Sequence, residues 1–227
     1  MTRSRAPQAA AAPSETAGQI LNVAERLAQT RGFNGFSYAD IAAELGVTKA
    51  SLHYHFPGKA DLGRALIDRY TLGFAAALER IEHSGVPAFA QLQRYVAIYG
   101  DVLKAGRICL CGMLAAEYTT LPVPMQDAIR AFFDANERWL SRVLEAGRQD
   151  GSVTFDGTAA EAARAITSAL EGAMLLARPY GGPARFESAA QRVLREYAAA
   201  GGSERRATSA AGGRRAGPKP RAAAQRR

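Results

Sequence analysis

Apolar residues recur every third or fourth position along most of the chain and nowhere alternate as a half-buried strand would. Ile20, Val23, Ala24, Leu27 and Ala28 form one such stripe, between the capping residue Ser14 and a stop at Arg31-Gly32. Ser37, with Asp40 three residues on, resembles a capping box and opens a short helix. Gly46-Val47 then forces a turn, after which Thr48 caps a second short helix that Pro57-Gly58 ends. A long helix follows, carrying Leu62, Leu66, Tyr70, Phe74, Leu78 and Ile81. Further stripes predict helices over 87–105, 110–118, 124–147, 157–177 and 184–199. The fold class this implies is all-α, with about nine helices.

The two ends break the pattern. Residues 1–13 are rich in Ala, Pro and Arg, and 201–227 hold no large apolar side chain. Neither can bury enough surface to offset the entropy of ordering, so both are expected to be disordered. Charge follows the same division. The formal net charge is +8, but eight of the basic residues, against the single acid Glu204, lie within 201–227. Residues 16–200 balance to zero, so the basic character belongs to the ends. The tail either adds sequence-independent phosphate contacts or is a solvated end with no task. Apolar runs such as Ala173–Ala177 are far shorter than the roughly 20 residues of a membrane span, and no membrane partner is expected. No secretory h-region opens the chain, and Cys109 and Cys111 are too close to form an unstrained disulfide; a cytoplasmic protein is expected.

Residues 37–56, SYADIAAELGVTKASLHYHF, have the form of a helix-turn-helix. Ile41, Leu45, Val47, Leu52 and Phe56 supply the apolar side that packs the helices together, and Gly46 sits where the chain needs a positive φ. With Leu52 facing inward, Ala50, Ser51, His53 and Tyr54 form the outer face of the second helix. Such a small, hydrogen-bonding surface suits the floor of a DNA major groove. Thr48, Lys49, Ser51, Tyr54 and Lys59 are candidates for phosphates, and His53 and His55 for phosphates or base edges. Ser37 and Tyr38 join them because a helix amino end offers free N–H groups.

Residues 16–66, centred on RGFNGFSYADIAAELGVTKASLHYHFPGKADL, resemble the DNA-binding domain of the TetR family of bacterial transcription regulators. His53 departs from that family's pattern, which most often has a Tyr there. The resemblance implies a three-helix DNA-binding domain over 14–58 and a helical ligand-binding and dimerisation domain over 59–200, flanked by the arm 1–13 and the tail 201–227. It implies a homodimer through 157–199 that binds a pseudo-palindromic double-stranded operator and is released by a small-molecule inducer, most often as a repressor. The small residues of 157–199, among them Ala162, Ala163, Ala165, Ala169, Gly172, Ala173 and Ala177, permit close helix approach. Ile166, Leu170, Met174, Phe186, Val193, Leu194 and Tyr197 add apolar area, and an intramolecular core would use the same residues.

The inducer site is less legible. Cys109-Leu-Cys-Gly-Met-Leu-Ala-Ala-Glu117-Tyr118 resembles a segment of one TetR subgroup that includes regulators responding to reactive small molecules. Cys109 or Cys111 would sense such species only if Arg107 or a helix amino end lowered the thiol pKa; otherwise both are small core residues. Tyr70, Phe74, Tyr99, Met113, Tyr118, Phe133 and Trp139 are candidates to line an aromatic pocket, although each aromatic alone suits ordinary core, and Glu117, the one acid of its apolar stretch, is either a pocket acid or a surface residue. His53 and His55 diverge on their helix and His83 stands apart, so no metal site is expected. No phosphate loop, nucleophile elbow or carboxylate pair is present, so neither a cofactor nor catalysis is expected. The competing readings are an all-α protein-interaction module and a non-specific DNA-binding protein that uses its basic tail.

Overall fold

The structure, a computed structural model, describes residues 15–199. The capping role given to Ser14, the arm 1–13 and the tail 201–227 lie outside the described residues. Within them the chain forms nine α-helices: α1 Glu15–Arg31, α2 Tyr38–Leu45, α3 Lys49–His55, α4 Lys59–Glu82, α5 Ala88–Lys104, α6 Leu110–Ala116, α7 Val123–Asp150, α8 Ala159–Ala177 and α9 Pro183–Tyr197. No helix among the described residues is long and apolar enough to cross a membrane.

The local rules explain the boundaries. Ser37 and Asp40 close the expected capping box at α2, and Gly46 ends that helix at φ 66°. Thr48 caps α3 by accepting from the Ser51 N–H. The stretch 110–118 is not one helix: α6 stops at Ala116 and a 3₁₀ turn, Tyr118–Thr120, follows before Pro122. At the other end of the domain α7 runs on to Asp150, where Gly151 stops it at φ 73°. Beyond it Val153 and Ala198 form an isolated antiparallel bridge that ties the loop after α7 to the end of α9.

Helices α1, α2 and α3 pack together at one end, with Ile20, Leu27, Ile41 and Leu52 almost fully buried. Burying each such side chain contributes about 1.5–3 kcal/mol. Helix α4 is about 36 Å long. It packs on α1 at its start and on α5, α6 and α7 further along, so it belongs to both halves of the molecule. Arg69 fastens it to α1 through the Glu25 carboxylate at 2.5 Å and Asn22 Oδ1 at 2.8 Å. In the larger half, α7 lies against α4, α5, α6 and α8, and α9 covers α8 and α5.

The α8–α9 surface differs from the sequence expectation. Ile166, Leu170, Met174 and Phe186 are buried inside the single chain, as are Ala162, Ala163 and Ala177. For these residues the intramolecular alternative holds, because α8 turns this face to α7. The face of α8 that remains outside carries Ala165, Ala169, Ala173 and Leu176, spaced three or four residues apart, with Tyr180 in the 3₁₀ turn just beyond the helix; Leu176 is 58% and Tyr180 68% exposed.

Candidate nucleic-acid interface and interior cavity

Helix α3 is held by Leu52, which is fully buried, and by Phe56 just beyond its end. Its outer face presents Ala50, His53 and Tyr54, with Ser51 half-buried beside them. Tyr54 is 84% exposed and its hydroxyl has no partner among the described residues. The His55 ring stands edge-on to it, with ring centroids 5.1 Å apart. Thr48 Oγ1 accepts its capping bond, which leaves the hydroxyl hydrogen free to donate outward.

Three of the sequence candidates are engaged otherwise than expected. The Tyr38 hydroxyl is buried and donates to the Phe56 carbonyl at 2.8 Å, so it fastens α2 to the end of α3 and cannot donate to a phosphate. Burial, with the Asp61 carboxylate second, pushes that phenol up to about 12. The N–H and O–H of Ser37 both go to Asp40, at 2.7 and 2.6 Å, which holds the Asp40 carboxyl below its usual range. What the amino end of α2 still offers is backbone N–H, since the first turn has no carbonyl behind it. His53 Nδ1 lies 3.0 Å from the Pro57 carbonyl, which can only accept, so Nδ1 carries the hydrogen. That leaves Nε2 of the exposed ring for a phosphate or a base edge.

Lys59 occupies the joint between the halves. Its Nζ donates to the carbonyls of Phe33 and Phe36 and lies over both rings, 4.7 and 4.6 Å from their centroids. Burial lowers its pKa, opposed by the carboxylates of Glu117 and Asp40. Its ammonium and that of Lys49 flank a surface depression of about 330 Å³ with Ser37, Tyr38, Ala39 and His53, between the amino end of α2 and α3. A phosphate seated there would meet two positive charges and the α2 N–H groups.

The larger half also departs from expectation. Tyr70, Phe74, Tyr95, Tyr99, Phe132, Phe133 and Trp139 form one continuous set of ring contacts. Most of these rings fill the interior rather than line a space. A partly open cavity of about 240 Å³ lies between α6, α7 and α8, and of the sequence candidates only Phe133 lines it. Met113 is buried in the core, and the Tyr118 carbonyl takes a bond from Gln126 at 3.0 Å. Glu117 does not face this cavity. Its carboxylate accepts from the Asn34 N–H at 3.1 Å, and Thr120 Oγ1 accepts from Asn34 Nδ2 at 2.9 Å. The segment after α6 thus grips the loop between α1 and α2. Arg178 adds a second grip on the carbonyl of Thr30.

The acid in the cavity wall is Glu171, which sequence reading passed over among the small residues of α8. Its Oε1 is buried without a hydrogen-bond partner. Burial raises the carboxyl to about 7, with the Cys109 thiol the neighbour that draws it back. Gly112 makes room for it, since a Cβ there would fall 2.2 Å from Glu171 Oε2. Cys109 and Cys111 are both buried, and burial followed by the Glu171 charge pushes their thiols up. The condition for a reactive thiol is not met: Arg107 reaches towards Gln29 instead, and the bond from the Gly112 N–H to Cys109 Sγ only partly offsets the burial. The signal that would have found Glu171 is an i, i+4 pair, Thr167 and Glu171, on the buried side of α8. Among the described residues no group of three or more metal-ligating side chains comes together.

Comparison with known proteins agrees with this geometry. Residues 20–66 match the family described as bacterial regulatory proteins, tetR family, and residues 88–193 match the tetracyclin repressor-like C-terminal domain. The chain is 30% identical to the HTH-type transcriptional regulator LmrA of Bacillus subtilis over 166 residues, 70% of this chain and 84% of that one. It is 28% identical to the HTH-type transcriptional repressor NemR of Escherichia coli over 170 residues, 72% of this chain and 84% of NemR. A TetR-family regulator from Agrobacterium tumefaciens superposes with a TM-score of 0.79 at 33% identity, covering 83% of this chain and all of that one.

Proposed function

The chain belongs to the TetR family of bacterial transcription regulators, and from that premise we propose that it is a dimeric repressor whose α3 enters the major groove of a pseudo-palindromic operator. The observation that carries this reading is the outer face of α3. Tyr54 projects into solvent, its hydroxyl without a partner among the described residues, beside Ala50 and His53, on a helix capped by Thr48 and anchored by the buried Leu52. Ala50 lets the helix approach the groove floor, and the His53 Nε2 takes a phosphate or a base edge. Tyr54, Thr48, His55, Lys49 and Ser51 bind phosphates or base edges around it. Lys59 supports them electrostatically from the joint. The functional boundary between the DNA-binding and effector halves lies at Gly58-Lys59, where α4 begins.

Release by an effector follows from how the halves are connected. The cavity wall contains Glu171, its neighbour Cys109 accepts from the Tyr70 hydroxyl of α4 at 3.6 Å, and α4 begins at Lys59. The same wall continues through α6 to Glu117 and its bond to Asn34. An effector that repositions α6 or α8 moves the DNA-binding half against its partner, and a coupling of about 1–3 kcal/mol suffices to weaken operator binding several-fold or more. With both thiols buried, the effector in this reading binds without covalent attachment.

Selection of DNA from a random library by the purified protein near physiological salt tests the proposal. Enrichment of a palindrome with half-sites about one helical turn apart is expected. Recovery of no preferred sequence, or binding lost on deletion of 201–227, would overturn it in favour of tail-driven association.

A further inference from the structure

The interior of the larger half contains polar groups that the fold itself leaves without partners. Among the described residues these are both side-chain polar atoms of Asn136 and the Trp139 indole N–H on α7, and Glu171 Oε1 on α8. Buried polar atoms are almost always satisfied, and of these only Glu171 lines a cavity, so its carboxyl marks a place that something else can complete. Glu171 is also the one of them that can carry charge.

The titratable groups whose charges act with or on Glu171 are Tyr70 of α4, Tyr95 and Tyr99 of α5, and Cys109 and Cys111 at the start of α6. All of them are acids, and each is held neutral by burial. No lysine, arginine or histidine is among them. A carboxylate buried without a cation is costly, and in the empty protein it relieves that cost by holding a proton. The rest of the wall is apolar, formed by Ile108, Phe133, Met174 and Leu175 with Gly112 and Gly172, and it opens beside the exposed Ala115 and Ala116.

We propose that this cavity binds a small organic cation, an ammonium group on an apolar body, with Glu171 as the counter-ion and Phe133 and Met174 against the body. This deepens the reading of the chain as an effector-responsive regulator and rests on it. The ammonium supplies the charge partner that the fold omits, and the Phe133 ring can add attraction for a cation. Gly112 is the residue that lets the carboxylate lie in the wall, so its lack of a side chain is part of the site. An anionic ligand would meet a like charge with nothing to offset it. A neutral ligand of the same shape would fill the space but leave the carboxyl to keep its proton.

The proposal predicts proton-linked binding. An ammonium binds the ionised carboxyl, so a proton leaves when the ligand enters at low pH. With the carboxyl at about 7, affinity should rise about tenfold from pH 6 to pH 8 and level off above. Calorimetric titration of the DNA-free full chain with 2-phenylethylamine, 2-phenylethanol and phenylacetate tests this directly. The amine should bind at least tenfold more tightly than the other two and release protons at pH 6, as seen by repeating the titration in buffers of different ionisation heat. Glu171→Gln, which keeps the shape, should lose at least tenfold in amine affinity and all of its pH dependence. Equal or tighter binding of the alcohol or the acid, unchanged amine affinity in Glu171→Gln, or no binding of the amine at millimolar concentration would each overturn it. Because no DNA is present, such a failure is separate from failure to select an operator.

Discussion

Two tyrosines in the DNA-binding half illustrate how far one hydroxyl's role depends on where its hydrogen points. Tyr38 donates inward to the Phe56 carbonyl, whereas the Tyr54 hydroxyl finds no partner among the described residues. Tyr38→Phe leaves that carbonyl without its donor and should cost about 1–2 kcal/mol of stability, measured as a lower denaturation midpoint. Operator affinity of the folded variant should stay close to the parent's. Tyr54→Phe should do the reverse: an unchanged midpoint and a loss of about 1 kcal/mol in affinity for every operator alike, read by fluorescence anisotropy. A larger stability loss at Tyr54 than at Tyr38 would contradict the assignment. Glu171 gives a third prediction at this scale. Its carboxyl stands at about 7 in the folded chain, above its ordinary 4.5, so the folded state holds the proton more tightly than the unfolded one. The stability this gives is present below about pH 4.5 and is lost as pH rises through 7. Glu171→Gln removes the titration, so relative to the parent it should gain up to roughly 3 kcal/mol at pH 8 and little at pH 5, as followed by urea denaturation.

At the scale of elements, the segment after α6 matters more than its length suggests, because it holds the loop between α1 and α2. Glu117 accepts the Asn34 N–H, and the loop it steadies also supplies the Phe33 and Phe36 carbonyls that bind Lys59. Glu117→Ala should leave operator binding nearly intact while reducing the effect of a cavity ligand on it, measured as the ratio of operator affinities with and without 2-phenylethylamine. A ratio equal to the parent's would remove Glu117 from the coupling route. The same region shows what the sequence made legible and what it did not. Caps, turn glycines and stripes are local signals: Ser37 with Asp40, Gly46 and Thr48 all behave as their neighbours in the chain dictate. The outer face of α3 follows from helical spacing once Leu52 is placed inside. The apolar chain neighbours of Glu117 leave open whether it faces a pocket or the surface, since its partner is Asn34, 83 residues away, and no local pattern encodes that. Glu171 was missed for the converse reason. In the sequence it is one of two acids on an alanine-rich helix, and it is the packing of α8 on α7, with Gly112 of α6 beside it, that shows its side chain turned inward with no base opposite.

For the whole molecule, the open question is what covers the outer face of α8. Ala165, Ala169, Ala173 and Leu176 run along one side of it, with Tyr180 just beyond its end, and nothing among the described residues buries the last two. Small residues spaced four apart let another helix approach closely, and the exposed Leu176 and Tyr180 add apolar area at one end of the contact. A second copy related by a two-fold axis would cover this stripe with its own, which is the symmetry a palindromic operator demands. The two recognition helices then reach half-sites about 34 Å apart, and each bound half raises the effective concentration of the other. Ala169→Glu places a charge in the middle of the stripe, on a position already partly open to solvent, so the folded chain should tolerate it while the pair does not. Sedimentation should show a monomer with the parent's helical content, and affinity for the full palindrome should fall by about 10²–10⁴, towards that for a single half-site. A dimer that persists in Ala169→Glu would mean that the two copies meet elsewhere, and the axis would then have to be sought along α9, where Val193, Leu194 and Tyr197 are only half covered.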